Sequence, residues 1–204
     1  MRLMTNADAI ICLKNGGVVI MPTETSYGIV ARADNPKAVE RIFAIKGREE
    51  QKALPLIASD LAMIERFAVV SDKIKELANK YWPGPLTVVL PFESDTPLAS
   101  GVIDQNNHTI AIRVSSHFLP RSCAQYMECP LVSTSANVSG CPSIFSVEDL
   151  LNNWKDLDIR PDGYIDGGTL EESLPSTIIK EVDGAFDILR QGAVSIADGL
   201  LKKI

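Results

Sequence analysis

The chain has 204 residues, 46% of them hydrophobic and 23% charged, with 26 Asp and Glu against 20 Lys and Arg for a formal charge of −6. That length fits one domain over residues 1–204, able to bury roughly 70% of its unfolded surface, and the composition excludes a disordered or fibrous chain. The longest apolar runs fall well short of the roughly 18 residues of a membrane span, and the acidic balance works against general attraction to nucleic acid while leaving room for a locally basic groove. The N-terminal stretch has no apolar signal core with a small-residue cleavage site, so a cytoplasmic protein with no membrane partner is expected. Cys12, Cys123, Cys129 and Cys141 lack C-x-x-C spacing, and only His108 and His117 could join them at a metal. They read as free thiols in a reducing compartment.

In chain order, residues 5–15 show helical spacing and stop at Gly16-Gly17, and Val18-Val19-Ile20-Met21 follows as a buried strand. Pro22-Thr23-Glu24-Thr25-Ser26 is a polar loop, and residues 27–31 return to strand. Residues 36–46 predict a helix with Pro36 in its first turn and Gly47 as its stop. Residues 54–58 read as a strand, Ser59 as the cap of a helix through 67, and Ser71 as the cap of another running to 82. Further strands are expected at 87–92, 109–114 and 131–133, with a helix around 118–127. Ser146 opens a helix through 154; strands near 164, at 176–182 and at 185–189 follow, then a last helix from Ser195. Residues 95–107, rich in Asp, Asn, Ser and Gly without periodicity, read as a flexible loop. The alternation argues for an α/β fold whose sheet is partly antiparallel through the hairpin at 178–189.

Familiar catalytic signatures are missing: the chain has no G-x-x-x-x-G-K-[ST] loop, no G-x-G-x-x-G, no H-E-x-x-H and no G-x-S-x-G. What remains is a set of cationic and hydroxyl-rich loops at the ends of apolar segments, where ligands of α/β sheets gather. Lys46-Gly47-Arg48-Glu49-Glu50-Gln51-Lys52 offers three cations that could converge on a polyphosphate. The same residues also suit a helix-dipole complement and solvated charges. Ser133-Thr134-Ser135-Ala136-Asn137-Val138-Ser139-Gly140 fits phosphate oxygens or an amino-acid head group, and equally fits a simple turn. Arg113 and Arg190 close predicted strands, where each could grip an anion or make a surface ion pair. Trp82-Pro83-Gly84-Pro85 reads as a rigid structural turn.

In order along the chain, Pro22-Thr23-Glu24-Thr25 with Tyr27-Gly28, Lys46-x-Arg48, Trp82-Pro83-Gly84-Pro85-Leu86-Thr87, Ala111-Ile112-Arg113, Ser133-Thr134-Ser135-Ala136-Asn137 with Ser139-Gly140, Pro175-Ser176-Thr177 and Arg190-x-Gly192 span positions 17–192. Together they resemble the YrdC-like threonylcarbamoyl-AMP synthase family. The resemblance implies an α/β fold with a twisted mixed sheet, helices packed around it, and a large open groove. It implies a nucleotidyltransferase that joins L-threonine, bicarbonate or CO2, and ATP into threonylcarbamoyl-adenylate and pyrophosphate. Magnesium would arrive with ATP, with no protein metal site and no tightly bound organic cofactor. Downstream proteins would transfer the threonylcarbamoyl group to tRNA, and a weak direct contact with tRNA stays open. Residue by residue, the resemblance assigns Arg48, Lys52, Thr109, Ser135, Asn137, Ser143 and Arg190 to ATP, with Lys46 and Arg48 at the reacting phosphates. It assigns Thr25, Arg113, Ser133 and Ser176 to threonine.

The sequence departs from the family pattern at Glu49, where many relatives have proline, and at Ile57, where longer relatives carry a threonine-contacting histidine. It also ends soon after the catalytic region. Two rival readings remain: a carbamoyl-adenylate-forming domain like those of hydrogenase-maturation carbamoyltransferases, and an RNA-binding module without catalysis, against which the acidic charge counts. A regulatory protein that keeps the fold without activity is set against by the full set of phosphate-ligand candidates.

Overall fold

A computed structural model of the chain describes residues 1–47, 52–93, 95, 97–197 and 201. In chain order its elements are β1 (Arg2–Leu3), α1 (Asn6–Lys14), β2 (Val19–Pro22), β3 (Tyr27–Arg32), α2 (Pro36–Lys46), β4 (Leu56–Ala58), α3 (Leu61–Glu65), α4 (Asp72–Tyr81) and β5 (Leu86–Pro91). A short 3-10 turn (Ser100–Val102) follows, then β6 (Thr109–Val114), α5 (Phe118–Met127), β7 (Leu131–Ser135), α6 (Val147–Trp154), β8 (Gly163–Tyr164), β9 (Thr177–Val182) and β10 (Ala185–Arg190).

Local chemistry explains most boundaries. Thr5 caps α1 by accepting from the Asp8 N–H at 3.2 Å, while the Asp8 carboxylate accepts from the Thr5 N–H at 3.0 Å. The Asn35 side chain accepts from the Ala38 N–H, Pro36 stands at the first helical position, and Gly47 closes α2 with φ +59°, a left-handed conformation that glycine adopts without a Cβ clash. Ser71 and Ser146 cap α4 and α6 in the same way as Thr5, through their hydroxyls.

The strands form one sheet in the order β1-β8-β2-β3-β7-β4-β6-β5-β9-β10. It is mixed: β4 runs parallel to β6 and β5 to β9, whereas β3 and β7, β5 and β6, and β9 and β10 pair antiparallel. Helices α1, α2, α3 and α5 pack on its strands. Ile20, Ile29, Leu56, Leu86, Ile112 and Ile179 are fully buried in the resulting core. The α/β expectation and the C-terminal hairpin match this architecture. No described helix is long and apolar enough to cross a membrane.

Four local expectations need correction. The two-residue strand β1 carries too little pattern to be read from sequence and is held by parallel pairing with β8. Helix α3 is capped by Asp60, not Ser59: the Asp60 carboxylate accepts from the Met63 N–H at 2.7 Å, and Ser59 donates to that carboxylate at 3.0 Å. Residues 97–107 of the expected loop are anchored rather than loose. Ala99 and Val102 enter the core, Leu54 N–H donates to the Gly101 carbonyl, and the Asp104 carboxylate accepts from the N–H groups of Asn106 and Asn107. A Cβ on Gly101 would lie 2.6 Å from the Phe43 ring, so a glycine read as a loop signal is a packing requirement. Finally, residues 195–197 are not helical, and the rest of the expected last helix lies largely outside the described residues.

The C-terminal segment is fastened to β9 instead. The fully buried Thr177 hydroxyl donates to the Val194 carbonyl at 2.6 Å and accepts from the N–H groups of Gly192 and Val194 at 3.0 Å. At Gly192 a Cβ would fall 2.1 Å from the Pro175 carbonyl oxygen, so the two segments touch only because that residue is glycine. Thr177→Val keeps the shape but strands two backbone donors. Urea unfolding should show a loss of about 2–4 kcal/mol at unchanged slope; a loss below about 0.5 kcal/mol would mean the hydroxyl does not fasten the segment.

Candidate functional site

The turn after β2, the end of α2, the middle of β6, the end of β7 with its following loop, and the segment leading into β9 open onto one cavity of about 1100 Å³. That exceeds the roughly 300–1,000 Å³ of most small-molecule sites. Among the described lining residues are four cations, Lys46, Lys52, Arg113 and Arg190, many hydroxyls, and no Asp or Glu. A chain of net charge −6 thus presents a locally basic hole.

Each wall has a local cause. In the β2–β3 turn, the Thr23 hydroxyl donates to the Ser26 carbonyl at 2.7 Å and accepts from the N–H groups of Thr25 and Ser26, which fixes Thr25 at the cavity mouth. Gly28 leaves space for Ser133 on the neighbouring β7, since a Cβ there would sit 3.3 Å from the Ser133 hydroxyl. The loop after β7 is compact: the Trp154 indole N–H donates to the Ala136 carbonyl at 2.9 Å in the core, and the Asn137 amide donates to the carbonyls of Val138 and Cys141.

Lys46 ends α2 and is only 4% exposed. Its ammonium donates to the backbone carbonyls of Ser135 at 2.6 Å and Asn137 at 2.8 Å, tying the helix end to the loop after β7. Arg113 is likewise buried. Its Nε donates to Glu24 Oε1 at 2.9 Å, with the two side chains 6% and 10% exposed, and Ser115 Oγ donates to Glu24 Oε2. Arg190 donates through Nη2 to the Ser176 carbonyl at 2.7 Å and to the Ser176 hydroxyl at 3.0 Å. That hydroxyl also shares a 2.8 Å bond with buried Thr87. Partial desolvation in the cavity wall, and secondly the positive charge of Arg113, lower the Arg190 guanidinium from its ordinary value. Two cations held this close favour an anion between them.

Of the residues singled out from sequence, Thr25, Lys46, Lys52, Arg113, Ser133, Ser135, Asn137, Ser143, Ser176 and Arg190 all line this cavity. Arg48 and Glu49 lie outside the described residues. Thr109 is not in the wall; it begins β6, paired with Pro91 and bonded to Asp104. It shares a strand face with Ala111 and Arg113, but at about 3.3 Å per residue it stands about 13 Å down the strand from Arg113. Ile57 is fully buried within β4 beside Arg113, also outside the wall.

Sequence reasoning missed Glu24, Thr87 and Ser173. Ser173 donates to the Thr25 carbonyl at 3.1 Å and so holds the β2–β3 turn from the opposite wall. Glu24 and Thr87 sit inside quoted motifs, but nothing local signals that they face Arg113 and Ser176, each 89 positions away. No group of three His, Cys, Asp or Glu gathers among the described residues. The described part of the wall, with cations and hydroxyls and no carboxylate, suits anions better than a resident divalent cation.

The Sua5/YciO/YrdC family model, described as telomere recombination, matches residues 12–192. Threonylcarbamoyl-AMP synthase of Bacillus subtilis (strain 168) is 34% identical over 190 residues, 93% of this chain and 54% of that protein. A Methanocaldococcus jannaschii protein provisionally named threonylcarbamoyl-AMP synthase is 36% identical over 182 residues, 89% of this chain and 83% of that protein. The crystal structure of P. abyssi Sua5 complexed with L-threonine superposes with a TM-score of 0.82 at 30% identity, over 93% of this chain and 55% of that one. This chain thus spans about half the length of the B. subtilis and P. abyssi relatives. With the family model running from residue 12 to residue 192 over this ordered set of motifs, the chain belongs to the Sua5/YciO/YrdC family.

Proposed function

We propose that this chain forms threonylcarbamoyl-adenylate from L-threonine, bicarbonate and ATP, with release of pyrophosphate. The observation that carries the reading is the cavity in which Lys46, Lys52, Arg113 and Arg190 share the wall with a row of hydroxyls and no Asp or Glu appears among the described lining residues. The names of the two curated relatives and the threonine bound in the P. abyssi structure support it. Under this reading, the amine of threonine adds to bicarbonate with loss of water, giving a carbamate. A carbamate oxygen then attacks the α-phosphorus, and the bond to the bridging oxygen breaks as pyrophosphate leaves. Carbamate and triphosphate together bring about five negative charges, and preorganised cations are the main stabiliser of such a transition state.

The amino-acid side is assigned to Thr25, Arg113, Ser133 and Ser176, and the nucleotide side to Lys52, Ser135, Asn137, Ser143 and Arg190, with Lys46 near the phosphates. Arg48 and Thr109 keep their ATP roles on the resemblance alone. The bond between Arg190 and Ser176 supports this division, because an attack between bound reactants requires adjoining subsites. Magnesium would be held by the nucleotide's phosphate oxygens and would neutralise part of their charge. The adenylate is a reactive mixed anhydride, so proteins that carry its acyl group to tRNA are the proposed consumers.

Pyrophosphate release from the purified chain should require ATP, threonine and bicarbonate together. Release driven by carbamoyl phosphate without threonine would point to the carbamoyl-adenylate alternative. Arg48→Ala and Arg190→Ala should each lose on the order of 2–4 kcal/mol of transition-state stabilisation in kcat/KM, and unchanged values would remove that arginine from the site.

The thiols give a second readout that does not depend on turnover. Cys141 is exposed in the cavity wall, whereas burial pushes the thiols of Cys123 and Cys129 up to about 11. Near pH 7.5 an alkylating reagent should therefore modify Cys141 well before those two. ATP with magnesium should slow that modification, and an unaltered rate at saturating ATP would place the nucleotide elsewhere.

A further inference from the structure

Glu24 stands just behind the cavity wall. Its neighbours Thr23, Thr25 and Ser26 line the cavity, and Glu24 does not. Both of its carboxylate oxygens are occupied, Oε1 by Arg113 Nε at 2.9 Å and Oε2 by Ser115 Oγ. The Ser115 oxygen in turn accepts from the His117 N–H at 3.2 Å, and Ser173 donates to the carbonyls of Glu24 and Thr25. Two hydrogen bonds thus fix the carboxylate and a third holds the Glu24 backbone, and through them one edge of Arg113 is fixed.

A guanidinium has two edges that can bind a carboxylate with paired N–H groups. Glu24 takes the Nε corner. Among the described residues neither Nη1 nor Nη2 of Arg113 has a hydrogen-bond partner, although the side chain is only 6% exposed and the residue lines the cavity. Neither is sealed off from solvent, since among the described residues the one buried side-chain polar atom without a partner is Asn153 Nδ2; both Nη groups are therefore open to the cavity, where an anion can meet them.

We propose that Glu24 is a positioning residue that clamps Arg113 by Nε, so that its Nη edge faces the cavity and receives the carboxylate of the amino-acid substrate. This deepens the amino-acid subsite and rests on the reading of the cavity given above. A purely electrostatic role predicts the opposite sign: removing a negative charge behind the wall would make the cavity more positive and tighten every anion.

Binding of L-threonine and, separately, of a non-hydrolysable ATP analogue is measured by calorimetry on the full chain. Threonine binding by the unaltered protein tests the cavity reading itself, and its absence overturns both. Given that binding, Glu24→Ala should weaken threonine on the order of tenfold, as loss of a supporting residue behind a ligand contact does. The ATP analogue should stay within about twofold. Glu24→Gln keeps an acceptor for Arg113 Nε and should restore threonine affinity to within about threefold. Ser115→Ala frees one oxygen of Glu24 and should weaken threonine in the same direction by less, which keeps the test decisive if Glu24→Ala fails to fold. Tighter or unchanged threonine binding in Glu24→Ala, equal losses in the Ala and Gln variants, or parallel losses for both ligands would overturn the proposal.

Discussion

The buried ion pair between Arg113 and Glu24 is the constraint on which the cavity depends. Arg113 belongs to β6, and Glu24 to the turn joining β2 and β3, which the sheet order separates from β6 by β7 and β4. At about 4.8 Å between neighbouring strands, a flat sheet would hold β3 and β6 about 14 Å apart. The 2.9 Å contact therefore ties the turn to a strand three places away in the sheet. Buried pairs of this kind add little net stability, since desolvation offsets attraction, but removing one partner leaves a buried charge uncompensated at a cost of about 3–5 kcal/mol. The pair is better understood as fixing a geometry than as strengthening the fold.

The other cations obey the same logic. Lys46 is turned onto the backbone carbonyls of Ser135 and Asn137, and Arg190 onto the carbonyl of Ser176, so both hold their charge beside the cavity without an acid in its described lining. Carbonyls satisfy the donors without neutralising them, which keeps the field available for an anion. Two described acids are tied up outside the cavity lining: Asp162 is paired with Arg41 and Asp34 with Arg32, and in each case the carboxyl is held below its ordinary range against the opposing effect of burial. Local basicity on an acidic body is thus produced by segregation of charge, and it confines attraction to one opening.

Much of this was legible in the sequence, for identifiable reasons. Helix α2 announced both ends through Pro36 and Gly47, and β6 its full length through an apolar run bounded by polar residues. The cationic and hydroxyl clusters announced a shared basic cavity because strand and helix ends are where such groups converge. What failed was whatever depends on tertiary context. The cap of α3 falls on Asp60, one residue beyond Ser59, a difference set by where β4 ends at Ala58. Segment 95–107 reads as polar although Ala99 and Val102 anchor it in the core. Thr109 shares the strand face of Arg113 but not its depth, a distinction invisible to alternation. Glu24 is the sharpest case, because an acidic residue inside a turn motif gives no hint of a partner 89 positions away.

A crystal structure of the chain with L-threonine and a non-hydrolysable ATP analogue tests the central claim most directly. The account predicts the triphosphate among Lys46, Lys52 and Arg190, the amino-acid carboxylate against the Nη edge of Arg113, and the Glu24 contact intact. Ligands bound on another surface, or an Arg113 that leaves Glu24 and turns away from the amino acid, would contradict it.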